Sequence, residues 1–369
     1  MFETTRRRVV QALGIGGAAS LAGCDARSAP GPDGTPTTTQ MQNQTKQPTV
    51  DSVAADPADI PDPVDWSSPK HHDVTLTVKE ETAEIEPGVT FTYMTFDGQI
   101  PGPMIRVREG DTVSLTLDNP DGNNMPHNVD LHAVMGTGGG SIATTASPGQ
   151  ENAMKFKATY PGAFIYHCAV PNMDYHISSG MFGMIVVEPK DGFPEVDKEF
   201  YVGQHEIYSK KKAGEKGHHE FDFQAMLRED PTYVLLNGEK YAWAAANHGP
   251  MQAELGDRIR VFMVDGGPNL TSSFHPIGNV WDEAYRDGGW TDRPDRNIQT
   301  MTVPPGSCMI GEMDTVAPER IKLVDHALTR VLRKGLLAEI DVMGAKQNDI
   351  FDPEPDGQDE GPIYGNGGE

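Results

Sequence analysis

The chain carries one pattern twice. Gly102-Pro103-Met104 is followed by Gly110-Asp111 and an alternating run from Val113 to Leu117; Gly249-Pro250-Met251 is followed by Gly256-Asp257 and a run from Ile259 to Val264. Pro161-Gly162 is matched further on by Pro305-Gly306, and the three offsets are 147, 146 and 144. His127 then falls opposite His275, at an offset of 148. Offsets that stay ordered over this length mark an internal duplication. Between the paired signals, short runs such as Val74–Val78 and Met184–Val187 alternate with Gly/Pro turns, and no long stretch has a helical period. With 40 Gly and 29 Pro among 369 residues, this is an all-β chain with length enough for two sandwich domains. They are expected at 67–190 and 198–345, with an acidic flexible tail over 346–369.

The first residues read as an address. Arg6-Arg7-Arg8 precede a mild, Gly/Ala-rich apolar stretch that is too short to span a bilayer, and Leu21-Ala22-Gly23-Cys24 has the form of a lipobox. Residues 1–24 are therefore expected to be a Tat-type export signal, with Cys24 as a lipid anchor on the outer face of the membrane. Residues 25–66 are polar and Pro/Thr-rich, and read as a flexible linker. The net charge of −24 excludes nucleic acid as a partner. The acidic surplus is spread along the chain and reads as adaptation to high salt, as in a halophilic archaeon. Cys24, Cys168 and Cys308 are too few for a disulfide framework.

The chemistry lies in three segments: Pro126-His127-Asn128-Val129-Asp130-Leu131-His132, Tyr166-His167-Cys168 through His176 to Met181, and Leu323-Val324-Asp325-His326. Cys168, His176 and Met181 bring a thiolate, an imidazole and a thioether into fourteen residues, after a β run. With a second imidazole from upstream, for which His127 is the natural donor, this is the ligand set of a blue-copper electron-transfer site. Zinc would want more Cys or His and no Met. Neighbouring side chains of a strand point to opposite faces, so His167 turns out where Cys168 turns in. His132 can reach the same outer face, two imidazoles there suggest a second metal, and His326 is the candidate third ligand.

These segments, with Ser273-Phe274-His275-Pro276-Ile277-Gly278, resemble the copper-containing nitrite reductases over residues 67 to 345. The resemblance implies two tandem cupredoxin-like Greek-key domains. It implies a type 1 copper on His127, Cys168, His176 and Met181. It also implies a type 2 copper on His132 and His167 of one subunit and His326 of the next, in a homotrimer. Nitrite would be the substrate, Asp130 and His275 the proton-handling residues, and a small blue-copper protein or cytochrome the electron donor. Tyr175 stands where many members have Trp, and Gln299 where many have an acid. Two other functions remain open. A multicopper oxidase would need His-x-His pairs, which the chain lacks. A plain electron carrier would leave His132, His167, His326, Asp130 and His275 without a role. The histidines at 71, 72, 205, 218, 219 and 248 read as surface or structural, Lys210 to Glu220 as an exposed loop, and Cys308 as a small buried residue.

Overall fold

The computed structural model describes residues 49–353 apart from residue 292; the signal, Cys24 and its lipobox, the linker up to 48 and the tail from 354 lie outside the described residues. Two sheets are built mainly from the first half. One runs in the order Gly217–His219, Val89–Phe96, His71–Glu86, Thr112–Asn119, Gln150–Lys157, and the other Ile105–Arg108, Phe182–Glu188, Gly162–His167, Asp130–Leu131. Two more are built from the second half. They run Tyr233–Leu236, Lys198–Ile207, Arg258–Gly267, Ser307–Asp314, Trp281–Tyr285, Asp295–Ile298, and Met251–Glu254, Ala338–Met343, Glu319–Asp325, Ser272–Ile277, Met301–Val303. Among the described residues the longest helices have six residues.

Alternation explains the strands. Thr112–Asn119 buries Val113, Leu115 and Leu117 and leaves the threonines and Ser114 half-exposed. Those side chains join Leu76, Val78, Ile185 and Val187 in a core that also contains Cys168 and Met181. Each such residue contributes about 1.5–3 kcal/mol by leaving water. A second core fills the other sandwich around Trp281, Phe274 and Met309. A third takes Phe182, Met184 and Val186 from the first half and Tyr201, Phe262, Val264 and Cys308 from the second, welding the halves together.

The hydrogen-bond register corrects the repeat. Gly110 donates to Ala158 O as Gly256 does to Thr315 O, and Gly149 to Asn119 O as Gly306 does to Asp265 O. On that register His127, bridged to Ala146, corresponds to Ser272, paired with Val303. Asp130 faces His167 as His275 faces Val324. His275 is thus the counterpart of Asp130, three positions from the His127 equivalence the offsets suggested. Two further expectations change. From Thr49 the supposed tether is laid against the body: Thr49 bridges Thr82, and Val53 and Ala55 are buried. In the stretch from Lys210 to Glu220, Gly217–His219 forms a strand parallel to Val89–Phe91 and His219 is buried.

Candidate metal centres

Cys168 follows directly on strand Gly162–His167, and His176 lies in the short helix Met173–Ser178. Cys168 N–H donates to Met181 O and Met181 N–H to His176 O, each at 3.1 Å, which closes the loop on itself. The result brings His127 Nδ1 to 3.8 Å and His176 Nδ1 to 3.6 Å from Cys168 Sγ, with the two nitrogens 3.2 Å apart. All three residues are buried, and the Met181 side chain is fully buried in the same core. Bonds of about 2.0 Å to nitrogen and 2.3 Å to sulfur, opened to about 120°, would space the donors ~3.5 and ~3.7 Å apart. The three side chains therefore fit a metal at their centroid, and the thiolate, imidazole and thioether chemistry fits copper.

Electrostatics agrees. Burial, and after it the neighbouring His127, pushes His176 down to about 4, so the ring is neutral and ready to ligate. Burial pushes the Cys168 thiol up to about 11, against the amides of Val170, Asn128 and Ala169. Two residues that the motif reading did not assign hold the set. Asn128 Oδ1 accepts Ala169 N–H at 2.7 Å. Glu80 Oε1 accepts His127 Nε2–H at 3.1 Å, which turns Nδ1 toward the thiol. Burial alone would raise Glu80; the His127 ring and the amides of Met125 and Asn124 outweigh it and hold the carboxyl low. Asn128 adjoins a ligand in sequence. Glu80 lies 47 residues from His127, and no local signal marks it.

On the opposite side of the same strand, His167 Nδ1–H donates to Cys168 O at 3.0 Å and leaves Nε2 bare. His132, fixed by its N–H on Ile165 O, points Nε2 at His167 Nε2 at 3.2 Å. An Asp130 carboxylate oxygen lies within 4.8 Å of both ring nitrogens. Burial, then His167, lowers the His132 pKa, which favours the neutral ligand form. Two ring nitrogens this close fit a shared metal once the His132 tautomer leaves its Nε2 bare as well. The Gly136–Gly140 run packs on Asp130: at Gly139, with φ +55°, a Cβ would run into Asp130 Oδ1.

His326 is not drawn into that group. It faces His275, ring centroids 5.3 Å apart, and both remain accessible. His275 Nδ1–H donates to the backbone carbonyl of Gln299 at 2.6 Å, so the chain, and no acidic side chain at 299, orients this ring. Asp325 occupies the place of Cys168. It accepts Ser273 and Ala327 N–H and pairs with Arg330, so an ion pair fills the pocket that holds metal donors in the first half.

The multicopper oxidase family model matches residues 77–192. The chain is 42% identical over 304 residues to a copper-containing nitrite reductase of Neisseria meningitidis serogroup A, covering 82% of this chain and 78% of that protein. It is 33% identical to one of Cereibacter sphaeroides, over 78% and 80% of the two chains. The solved copper nitrite reductase of Nitrosomonas europaea superposes with a TM-score of 0.68 at 30% identity, over 75% of this chain and 95% of that one.

Proposed function

The chain belongs to the copper-containing nitrite reductases, and on that premise we propose that it reduces nitrite to nitric oxide with one type 1 and one type 2 copper per subunit. His127, Cys168, His176 and the Met181 thioether would hold the type 1 copper. His132 and His167, completed by the partner subunit's His326, would hold the type 2 copper. Copper bound there supplies one-electron transfer at the buried centre and Lewis-acid polarisation of nitrite at the outer one. The observation that carries the reading is the adjacency of His167 and Cys168. One peptide bond joins two donor sets that face opposite sides of a strand.

Nitrite, one electron and two protons give nitric oxide and water. Asp130, held against the His132–His167 pair by the glycine run, keeps a carboxylate oxygen where a substrate oxygen needs a proton. His275 commits Nδ1–H to Gln299 O, so its Nε2 is the atom that passes the second proton. The two half-sites lie on different domains, at 67–190 and 198–345, with Asp130 and His275 at equivalent positions. A surface from domain one that binds a surface from domain two of the next copy is heterologous, and such contacts form a ring where the rotation between copies closes. A homotrimer follows the family. Tyr175 packs against His176 at 5.7 Å and against Phe221 at 4.6 Å, a surface suited to a small blue-copper protein or cytochrome donor. The amino-terminal sequence supports export and a lipid anchor at Cys24. The test is anaerobic assay of the copper-loaded protein with nitrite and a reduced dye. Nitric oxide from the wild type, and none from His326→Ala with its type 2 EPR signal missing, is expected. Copper-replete protein that releases no gas would end the reading.

A further inference from the structure

The duplication contains an internal control for one buried carboxylate. Strand His71–Glu86 lies parallel to Thr112–Asn119, and Lys198–Ile207 lies parallel to Arg258–Gly267. His72 faces Val113 as Lys198 faces Ile259; eight residues further along each strand stand Glu80 and Glu206. Both hold the loop that leads to the next strand. Glu80 accepts the N–H groups of Asn124 and Met125 at 3.0 and 2.9 Å, and Glu206 accepts those of Asn269 and Leu270. These amides precede His127 and Ser272 by the same number of residues. The clamp is thus common to a domain with the type 1 donors and a domain without them, and it holds the loop in both.

The remaining bonds differ, and Glu80 Oε2 also accepts the Asn124 side-chain amide at 3.1 Å. In the second half, Glu206 takes the Tyr208 hydroxyl. In the first half, Glu80 takes His127 Nε2–H, and the same oxygen that holds the loop receives it. We propose that Glu80 is a positioning residue of the type 1 centre, whose carboxylate fixes the His127 ring and lowers the reduction potential of the copper that ring ligates. The proposal rests on the type 1 reading above. An ionised acceptor makes the imidazole a stronger donor, and its negative charge favours the oxidised metal over the reduced one. Glu80 also lines a groove of about 850 Å³ with Asn124, Tyr175 and Phe221, so the ligand ring lies one hydrogen bond from a solvent-facing surface.

Glu80→Gln separates the two roles: an amide oxygen in place of Oε1 keeps the contacts from Asn124 N–H, Met125 N–H and His127 Nε2–H, the amide NH2 in place of Oε2 is met by the Asn124 side chain turning its oxygen to it, and the charge is lost. Redox titration of the visible thiolate-to-copper band should show the oxidised-to-reduced equilibrium moved at least tenfold toward Cu(I), about 59 mV upward. Glu80→Asp should recover part of the shift. Glu206→Gln, which loosens the equivalent loop, should leave the potential in place. An unmoved potential in Glu80→Gln with copper bound, or an equal shift in Glu206→Gln, would overturn the proposal. If Glu80→Gln does not load copper, pulsed EPR of type 2-depleted wild type decides. Different remote-nitrogen couplings for His127 and His176 are expected, and equal couplings would overturn it. A wild type without the visible band would instead remove the type 1 reading itself.

Discussion

Gly139 is where the role of Asp130 can be pressed hardest. Its φ of +55° lies in the left-handed region, and an added Cβ would collide with Asp130 Oδ1 and sit 3.0 Å from Leu131 N. In Gly139→Ala the backbone conformation alone costs about 1 kcal/mol. The collision is relieved by swinging the carboxylate away or by lifting the loop, and either takes Asp130 from its place beside the His132 and His167 nitrogens. A positioned acid–base group contributes about 10²–10⁴-fold to a rate. Turnover should therefore fall about a hundredfold, roughly 2.7 kcal/mol in the barrier, while the melting temperature drops only a few degrees. The assay is anaerobic nitric oxide release at saturating nitrite, with both copper signals checked by EPR. Asp130→Asn should reach a similar floor, and the double variant should go no lower, because both changes remove one function. Full turnover in Gly139→Ala with both coppers present would refute the claim that this loop holds a carboxylate the reaction uses.

Two further outcomes follow from burial. His205 is fully buried with Nδ1–H on Ser178 O, and burial pushes it down to about 4 from an ordinary 6.5. The unfolded chain takes up a proton that the fold refuses, so this stability is intact above about 6.5 and lost as pH falls toward about 4, by roughly 3 kcal/mol in all. His205→Asn should flatten the acid limb of urea unfolding in the metal-free protein, and an unchanged limb would contradict this. Cys168, pushed up to about 11, is a thiol in the metal-free protein at neutral pH, so copper must displace its proton. Affinity at that site should rise about tenfold per pH unit in chelator competition between about pH 6 and 8; a flat profile would count against it.

The ligand motifs were legible because their spacing is local: Cys168, His176 and Met181 sit on one strand–helix–strand turn, and the strand period alone separates His167 from Cys168. The repeat was legible in outline and misread in register. Matching histidine to histidine equated His127 with His275, whereas the backbone pairs Ser272 with His127 and His275 with Asp130. That correction places the two proton-handling candidates at one position of a duplicated fold. Glu80 was invisible because it reaches His127 from another strand, and strand pairing over that separation leaves no mark in sequence. His219, in a stretch expected to be an exposed loop, is buried because its strand pairs with the edge of the first-half sheet. The reach from 49 to 66 was hidden by its polar composition, although Val53 and Ala55 are buried and the Ala55 carbonyl accepts from Asn237 and Trp243.

The central claim is that nitrite is reduced at a copper shared between two chains. Co-expression of His132→Ala and His326→Ala chains on separate tags, with purification of the mixed assemblies, tests it directly. Each variant alone should be inactive. In a mixed ring one interface joins an intact His132–His167 pair to an intact His326, so about one third of wild-type nitric oxide production should return. Mixed assemblies that carry both chains and full type 1 copper, yet release no nitric oxide, would contradict it.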